Sequence, residues 1–270
     1  MIPVIVMGAA GRMGAQIISL LRGHQELRLA AAIEYKAHAA IGRDAGEAAG
    51  GEKMGVTITP DLPRALKQGG VVIDFTAPEV TAETSALAAG AGVPLVIGTT
   101  GLTDSQRKAL TSAAKKVALL YSPNMSIGVN LLFQLSVQAA KTLGPSYDIE
   151  ITEAHHRMKK DAPSGTALHL ARLLAEAFGR TLEQAAVYAR QGREAARQTG
   201  QIGIQSIRGG DIVGDHTVLF AGAGERLELT HRAASRDNFA QGALLAARWI
   251  VDQPPGLYSM QDLLNNKSKG

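Results

Sequence analysis

The chain has 270 residues, 46% of them hydrophobic and 19% charged, enough apolar material for one large domain or two modest ones without a covalent staple. It contains no cysteine, which excludes disulfides, thiolate metal ligands and a cysteine nucleophile. The formal net charge of +4 is small for this length and the cations are interleaved with acids, which argues against a nucleic-acid partner but leaves room for a local pocket that takes a small anion.

The opening MIPVIVMGAAGRMG has no basic leader and meets a glycine cluster where a membrane span would have to continue, so a cytoplasmic protein without a membrane partner is expected. From here apolar runs (IPVIVMG, LRLAAAIE, GVTIT, VVIDFT, PLVIGTT, VALLYS) alternate with helical stretches, the pattern of a parallel sheet covered by helices. Glycines at 8, 11 and 14 follow the first strand and open a helix predicted from about Arg12 to Arg22. This G-x-x-G-x-x-G spacing is a variant of the dinucleotide fingerprint, in which glycines permit a tight turn and close backbone approach to a pyrophosphate at the helix start. An ordinary tight turn is the competing explanation. Glu34 ends the second strand twenty residues after Gly14, where a carboxylate meets the adenosine ribose hydroxyls. A carboxylate there favours NADH by repelling a 2′-phosphate, yet Arg12 and Lys36 could neutralise that phosphate, so NADH or NADPH is expected, with a lean to NADH. The segment from Lys36 to Lys53 lacks periodicity and is expected to form a mobile flap. Gly98, Thr99 and Thr100, and Ser122, Pro123, Asn124 and Met125, follow strands at the carboxyl edge of the sheet and are expected to flank the nicotinamide end. TDSQ at Thr103–Gln106 has the form of a capping box and predicts a helix to about Lys116.

After Ser126 the texture changes. Gly128 to Gly144 reads as an amphipathic helix, Asp148 to His156 as a strand, and Thr166 to Gly179 as a helix striped by Leu168, Leu170, Leu173 and Leu174. IGIQSIR, IVGDHTVLF and RLELTHRA, joined by Gly-Gly-Asp and Gly-Ala-Gly-Glu turns, predict an antiparallel meander. An apolar helix from Asn238 to about Val251 follows. The expected fold class is α/β: a helix-covered parallel sheet that carries the dinucleotide fingerprint, plus an α+β domain that starts near residue 127.

EAHHRMKKDAPSGTAL, Glu153 to Leu168, concentrates nitrogen and raises three possibilities: a metal site, a basic surface or an anion pocket with acid/base groups. Adjacent strand residues point to opposite faces, so His155 and His156 are poorly placed to share one ion, and no metal is expected. Arg157 and Lys160 fit a solvated surface. Gly165 and Thr166 stand where a helix begins, where N–H groups have no acceptor one turn back in the helix and the dipole is positive, an arrangement suited to a carboxylate. His156 and Lys159 add donors, and His155, with an imidazole pKa ordinarily near 6.5, is a candidate proton carrier. Pro163, Ser164 and Thr166 also suit plain helix initiation, and the two explanations are compatible. Asp161 reads as a turn or capping acid.

GAAGRMG, VIGTTG, SPNMSIGVNLL, EAHHRMKKDAPSGTAL, SIRGGDIVGDHTVLF and ASRDNFAQGALLAARWI together resemble the 4-hydroxy-tetrahydrodipicolinate reductase family, also called dihydrodipicolinate reductase, of bacterial diaminopimelate and lysine synthesis. The resemblance runs essentially end to end, and the E-x-H-H-x-x-K-x-D-x-P-S-G-T block is its most specific part. It implies a Rossmann-like dinucleotide-binding domain from residues 1–126 and 237–270, and a smaller α+β domain of residues 127–236 whose open mixed or antiparallel sheet binds substrate and builds a homotetramer. It also implies the reaction: hydride from NADH or NADPH reaches the conjugated cyclic imine of a small dicarboxylate, and a proton follows at the neighbouring carbon. By motif position His155 is the implied acid/base residue and Lys159 the proton donor, while His156, Gly165 and Thr166 hold the substrate carboxylate. Gly8, Ala9, Ala10, Gly11, Arg12, Met13, Glu34, Gly98 to Thr100 and Ser122 to Met125 match the cofactor contacts. One departure is that many relatives carry arginine directly after the ribose acid, whereas Tyr35 and Lys36 follow Glu34 here, which bears on NADPH affinity.

Overall fold

A computed structural model describes residues 1–193 and 195–267. The chain divides into two compact units, Met1–Ile127 with the chain from Arg236 onward, and Gly128–Ser235.

The first unit is built on a seven-stranded parallel sheet. Its strands are β1 (Ile2–Met7), β2 (Leu27–Ile33), β3 (Ile58–Thr59), β4 (Val71–Asp74), β5 (Leu95–Ile97), β6 (Ala118–Tyr121) and, from late in the chain, β12 (Gly256–Tyr258). They lie in the order β12-β6-β5-β4-β1-β2-β3, so the winding reverses between β1 and β4, where open α/β sheets place their ligands. Every residue of β4 is buried, as expected of a strand covered on both faces. Alternation then divides the side chains between two cores. Val4, Val6, Val71 and Ile73 pack with Ile17 and Ile18 of α1 (Arg12–Leu21) and Ala243 and Ala247 of α9 (Asp237–Ile250). Ile5, Met7, Val72, Leu95 and Ile97 pack with Leu62, Ala88 and Leu110 from α3 (Leu62–Leu66), α4 (Pro78–Ala91) and α5 (Asp104–Ala114). Each fully buried Val, Leu or Ile contributes roughly 1.5–3 kcal/mol. The capping box of α5 forms as expected, with Thr103 Oγ1 accepting from Gln106 N and Gln106 Oε1 accepting from Thr103 N. α10 (Met260–Lys267) closes the chain against the first core through Met260 and Leu263.

The segment expected to be a flap has more structure than its composition suggested. It contains a short helix, α2 (Ala45–Ala48), and Asp44 Oδ1 accepts from Gly46 N and Met54 N at 2.9 Å each while Oδ2 accepts from Gly55 N at 2.8 Å. These backbone donors, Met54 N foremost, hold the Asp44 carboxyl below its usual range. One carboxylate organising backbone N–H groups leaves no periodic trace in the sequence.

The second unit begins within the first turn of α6 (Ile127–Leu143), which is followed by β7 (Asp148–His155), α7 (Gly165–Ala177), α8 (Leu182–Ala185), β8 (Ala186–Val187), β9 (Ile202–Arg208), β10 (Gly214–Ala221) and β11 (Arg226–Ala233). Its sheet runs β11-β10-β7-β9-β8. This corrects the expected meander: β10 and β11 form a hairpin, but β7 lies between β10 and β9 and pairs with β9 in parallel. The Gly209-Gly210 stretch crosses the end of β7 instead of closing a hairpin, with Gly209 N donating to His155 O at 3.0 Å and Arg157 N to Gly210 O at 3.2 Å. Ile149, Ile151, Ile204, Val218 and Phe220 meet Leu170, Ala171 and Leu174 of α7 in a single core.

Candidate functional site

In the first unit the chain leaves β1 through Gly8, whose φ of +63° lies in the left-handed region that only glycine enters at little cost. Gly11 N donates back to Gly8 O at 2.9 Å. A Cβ at Gly14 would fall 2.1 Å from Gly8 O, so the helix packs on the turn only without a side chain there. Gly11, the N-cap of α1, supplies no side-chain acceptor, which leaves the positive helix start for an anion. Glu34 closes the arrangement: its Oε2 accepts from Ala10 N at 3.1 Å and its Oε1 from Tyr35 N at 3.0 Å. The fold thus joins Gly8–Met13 to Glu34, and a tight turn, an uncapped helix start and an adjacent carboxylate fit a dinucleotide's pyrophosphate and ribose. Arg12, Tyr35 and Lys36 are exposed.

Gly98–Thr100 and Ser122–Met125 follow the carboxyl ends of β5 and β6. Thr100 and Pro123 are exposed, but Thr99 turns inward, its Oγ1 2.7 Å from Thr81 Oγ1, in a network that continues through Thr76 to Asp74. Burial raises the Asp74 pKa despite hydrogen bonds from Thr76 and Thr81. Ser122 Oγ donates to Asn124 O at 2.7 Å, and Asn124 Oδ1 accepts from Ser126 N at 2.9 Å, so this turn is braced by its own side chains. Met125 is 1% exposed and packs in the core beside α9, so its side chain is not presented to a ligand.

In the second unit, strand alternation sets the chemistry. Ile149, Ile151, Glu153 and His155 share the buried face of β7, so the row that starts as core ends as an acid and an imidazole. Glu153 is 0% exposed and its Oε2 lies 2.5 Å from His155 Nδ1. Arg208, from β9, grips both oxygens of Glu153 at 2.9 and 2.8 Å, and Ser164 N donates to Oε1 at 3.1 Å. Burial alone would raise the Glu153 pKa, but hydrogen bonds from Arg208, Ser206 and His155 outweigh it and bring it down to about 2. His155 is shifted below its ordinary value, chiefly by burial and further by the charges of Lys159 and Arg208, with Glu153 opposing. Lys159 Nζ donates to Asp161 Oδ1 at 2.9 Å, so the acid expected to serve a turn or a cap is the partner of that lysine. The cap of α7 is Ser164, whose Oγ accepts from Ala167 N at 3.2 Å. Gly165 is exposed and Thr166 half-buried in the first turn, while His156 follows the end of β7 and is half-buried.

Four participants fell outside the sequence-derived site: Glu153, Ser206, Arg208 and His216. His216 Nε2 is 3.1 Å from Ser164 Oγ, and its ring meets that of His155 edge-on at 5.2 Å. Burial and the nearby His155 push its pKa to about 4. Two signals could have found them. Glu153 stands two residues before His155 on a strand, hence on the same face, and His216 alternates with the apolar Val218 and Phe220. Arg208 and Ser206 carried no such signal, because their proximity depends on β9 pairing with β7. Among the described residues no group of three or more His, Asp or Glu could hold a metal ion, and no helix is long and apolar enough to cross a membrane.

The family model for the dihydrodipicolinate reductase N-terminus matches residues 2–125, and that for its C-terminus matches residues 128–264. The chain is 52% identical over 264 residues to the 4-hydroxy-tetrahydrodipicolinate reductase of Anaeromyxobacter dehalogenans, covering 98% of both chains. It is 52% identical over 259 residues to the enzyme of the same name from Halorhodospira halophila, covering 96% of this chain and 97% of the relative. Its fold is similar to that of a dipicolinate-bound dihydrodipicolinate reductase from Paenisporosarcina sp. TG-14, with a TM-score of 0.77, 27% identity, and coverage of 96% and 97% of the two chains. With matches that span both units and identity of this degree along nearly the whole length, the chain belongs to the dihydrodipicolinate reductase family.

Proposed function

We propose that this protein is a nicotinamide-dependent oxidoreductase that reduces 4-hydroxy-tetrahydrodipicolinate to tetrahydrodipicolinate in diaminopimelate and lysine synthesis. The observation that carries the reading is the buried imidazole His155, held against Glu153 in the same unit as a helix start suited to carboxylate binding, in a chain of this family. NADH or NADPH, when bound, supplies the hydride. Gly8–Met13, Glu34, Gly98–Thr100 and the Ser122–Met125 turn would hold it, with Glu34 favouring NADH through the ribose hydroxyls.

The chain's own groups bind the dicarboxylate and manage protons. Gly165 and Thr166, with N–H groups at the start of α7, and His156 receive a ring carboxylate. Lys159 is the proton donor, and its positive charge favours the electron-rich enamine that follows reduction of the imine. His155, shifted toward its neutral form, takes up and returns the proton exchanged as the hydroxyl leaves and the ring carbon is protonated. The same reading divides the chain into a cofactor domain of residues 1–126 and 237–270 and a substrate domain of residues 127–236 whose open sheet builds a homotetramer, and it puts the enzyme in the cytoplasm.

Following NADH oxidation with freshly generated hydroxy-tetrahydrodipicolinate tests the activity, and its absence in the wild-type protein sinks the reading. In His155→Gln, turnover is expected to fall about 100-fold with the NADH dissociation constant unchanged. Equal losses in both would make His155 a structural residue.

A further inference from the structure

We infer that Glu153 is a positioning residue that fixes which nitrogen of His155 carries the mobile proton and ties that atom and the start of α7 to one immobile anion. The inference rests on the acid/base role proposed for His155 and extends it to the fully buried carboxylate behind that ring.

An ionised carboxylate only accepts hydrogen bonds, at about four lone-pair positions. On Glu153 Oε1 they come from Ser164 N and one Arg208 nitrogen, on Oε2 from the other Arg208 nitrogen and His155 Nδ1, and Ser206 also bonds to the carboxylate, so its acceptor positions are filled. It is 0% exposed, so water does not compete for these positions. A group that accepts only, held 2.5 Å from His155 Nδ1, requires that nitrogen to bear hydrogen. Neutral His155 is therefore the Nδ1–H tautomer, and Nε2 is the atom with the free lone pair. On the opposite side of the ring Gly214 faces Nε2, and a Cβ there would stand 3.1 Å from it, so only a residue without a side chain leaves this atom uncrowded. Nε2 is thus the atom that gains and loses the proton.

The same carboxylate sets the neighbouring site. Through Ser164 N it fixes the residue that caps α7, and Ser164 Oγ, which accepts from Ala167 N, also meets His216 Nε2. Arg208 extends the anchor to the following loop by donating to Asp161 O at 2.7 Å, and Asp161 in turn holds Lys159. The acid/base imidazole, the proposed proton-donating lysine and the carboxylate-receiving helix start are therefore all referred to Glu153. Strand pairing makes this possible: Glu153 stands opposite Ser206 on one side and His216 on the other, and His155 opposite Arg208.

The ionisable groups facing His155 are Glu153 on its own strand, Arg208 from β9, His216 from β10, and Lys159, with its partner Asp161, from the loop after β7. Glu153 alone among them is an anion in direct contact with the ring, and it favours the protonated imidazole. Its replacement by an amide removes that support while the cations remain.

The test uses the full-length enzyme. The limb of the kcat/KM pH profile that disappears in His155→Gln belongs to His155, and in Glu153→Gln this limb is expected to move to lower pH, with kcat reduced about 30-fold or more. Glu153→Asp, which keeps the charge, should leave the limb near its wild-type position. A purely structural role would lower activity without moving the limb, and that result overturns the inference. Should Glu153→Gln fail to fold, 15N NMR of histidine-labelled wild-type enzyme decides: neutral His155 is expected as Nδ1–H, and a predominant Nε2–H form refutes the assignment. Full turnover in His155→Gln would instead defeat the underlying acid/base role, while the NMR signature would still judge the anchor.

Discussion

Glu34 carries two obligations on one carboxylate. From the end of β2 it accepts from Ala10 N at 3.1 Å, so it braces the glycine turn, and it is the anion expected at the cofactor ribose. Its replacement should therefore act on discrimination as well as affinity. Glu34→Ala is expected to weaken NADH binding about tenfold, near 1.4 kcal/mol, and NADPH binding less, because repulsion of a 2′-phosphate disappears with the charge. Parallel fluorescence titrations with the two cofactors measure this, and an unchanged NADH constant removes Glu34 from the ribose site. The individual residues differ in how far their sequence neighbourhood reveals them. Gly8, Gly14 and Glu34 are legible because spacing along one β-turn-α unit places them, whereas Arg208 reaches Glu153 across 55 residues and only strand pairing brings them together.

Two helix caps of similar chemistry separate stability from function at the scale of elements. Thr103 caps α5 at the surface, while Ser164 caps α7 inside the network around Glu153. Thr103→Ala should cost about 1 kcal/mol, read by urea unfolding, with kinetics unchanged. Ser164→Ala should cost at least as much, since His216 loses a partner too, and should raise KM for the dicarboxylate. Identical kinetics in both variants would detach the start of α7 from substrate binding. Helix and strand positions were largely readable from hydrophobic period, α6, α7 and α9 lying within two residues of expectation. Strand partnership was not. β9, β10 and β11 each read as strands, but nothing in their alternation says that β7, earlier in the chain, separates the first two.

At the scale of the whole molecule, the buried ionisable groups predict acid sensitivity. His216 has a pKa of about 4 in the fold against 6.5 ordinarily, so the unfolded chain binds a proton in this interval and the folded one does not. Its contribution, about 3 kcal/mol, is complete above pH ~6.5 and is lost as pH falls through ~4. Glu153, lowered from 4.5 to about 2, adds a second loss between those values, because its ionised form is the one the fold stabilises. Thermal unfolding midpoints should decline from pH 7 to pH 4, and His216→Asn should flatten that decline. A variant with the wild-type slope would show that His216 titrates normally.

By itself the sequence determined the alternating α/β half, its glycine turn and acid, the helix caps, and the family to which the His-His-x-x-Lys and Pro-Ser-Gly-Thr block points. These are local properties, fixed by residue types a few positions apart through backbone geometry and periodicity. The tertiary structure alone decided that β7 is a central strand, that Asp44 pins an unpatterned segment, and that Arg208, Ser164 and His216 close around the Glu153–His155 pair. Those relations depend on which strands pair and which groups leave water together, and the free energy of either is a property of contacts between residues far apart in the chain.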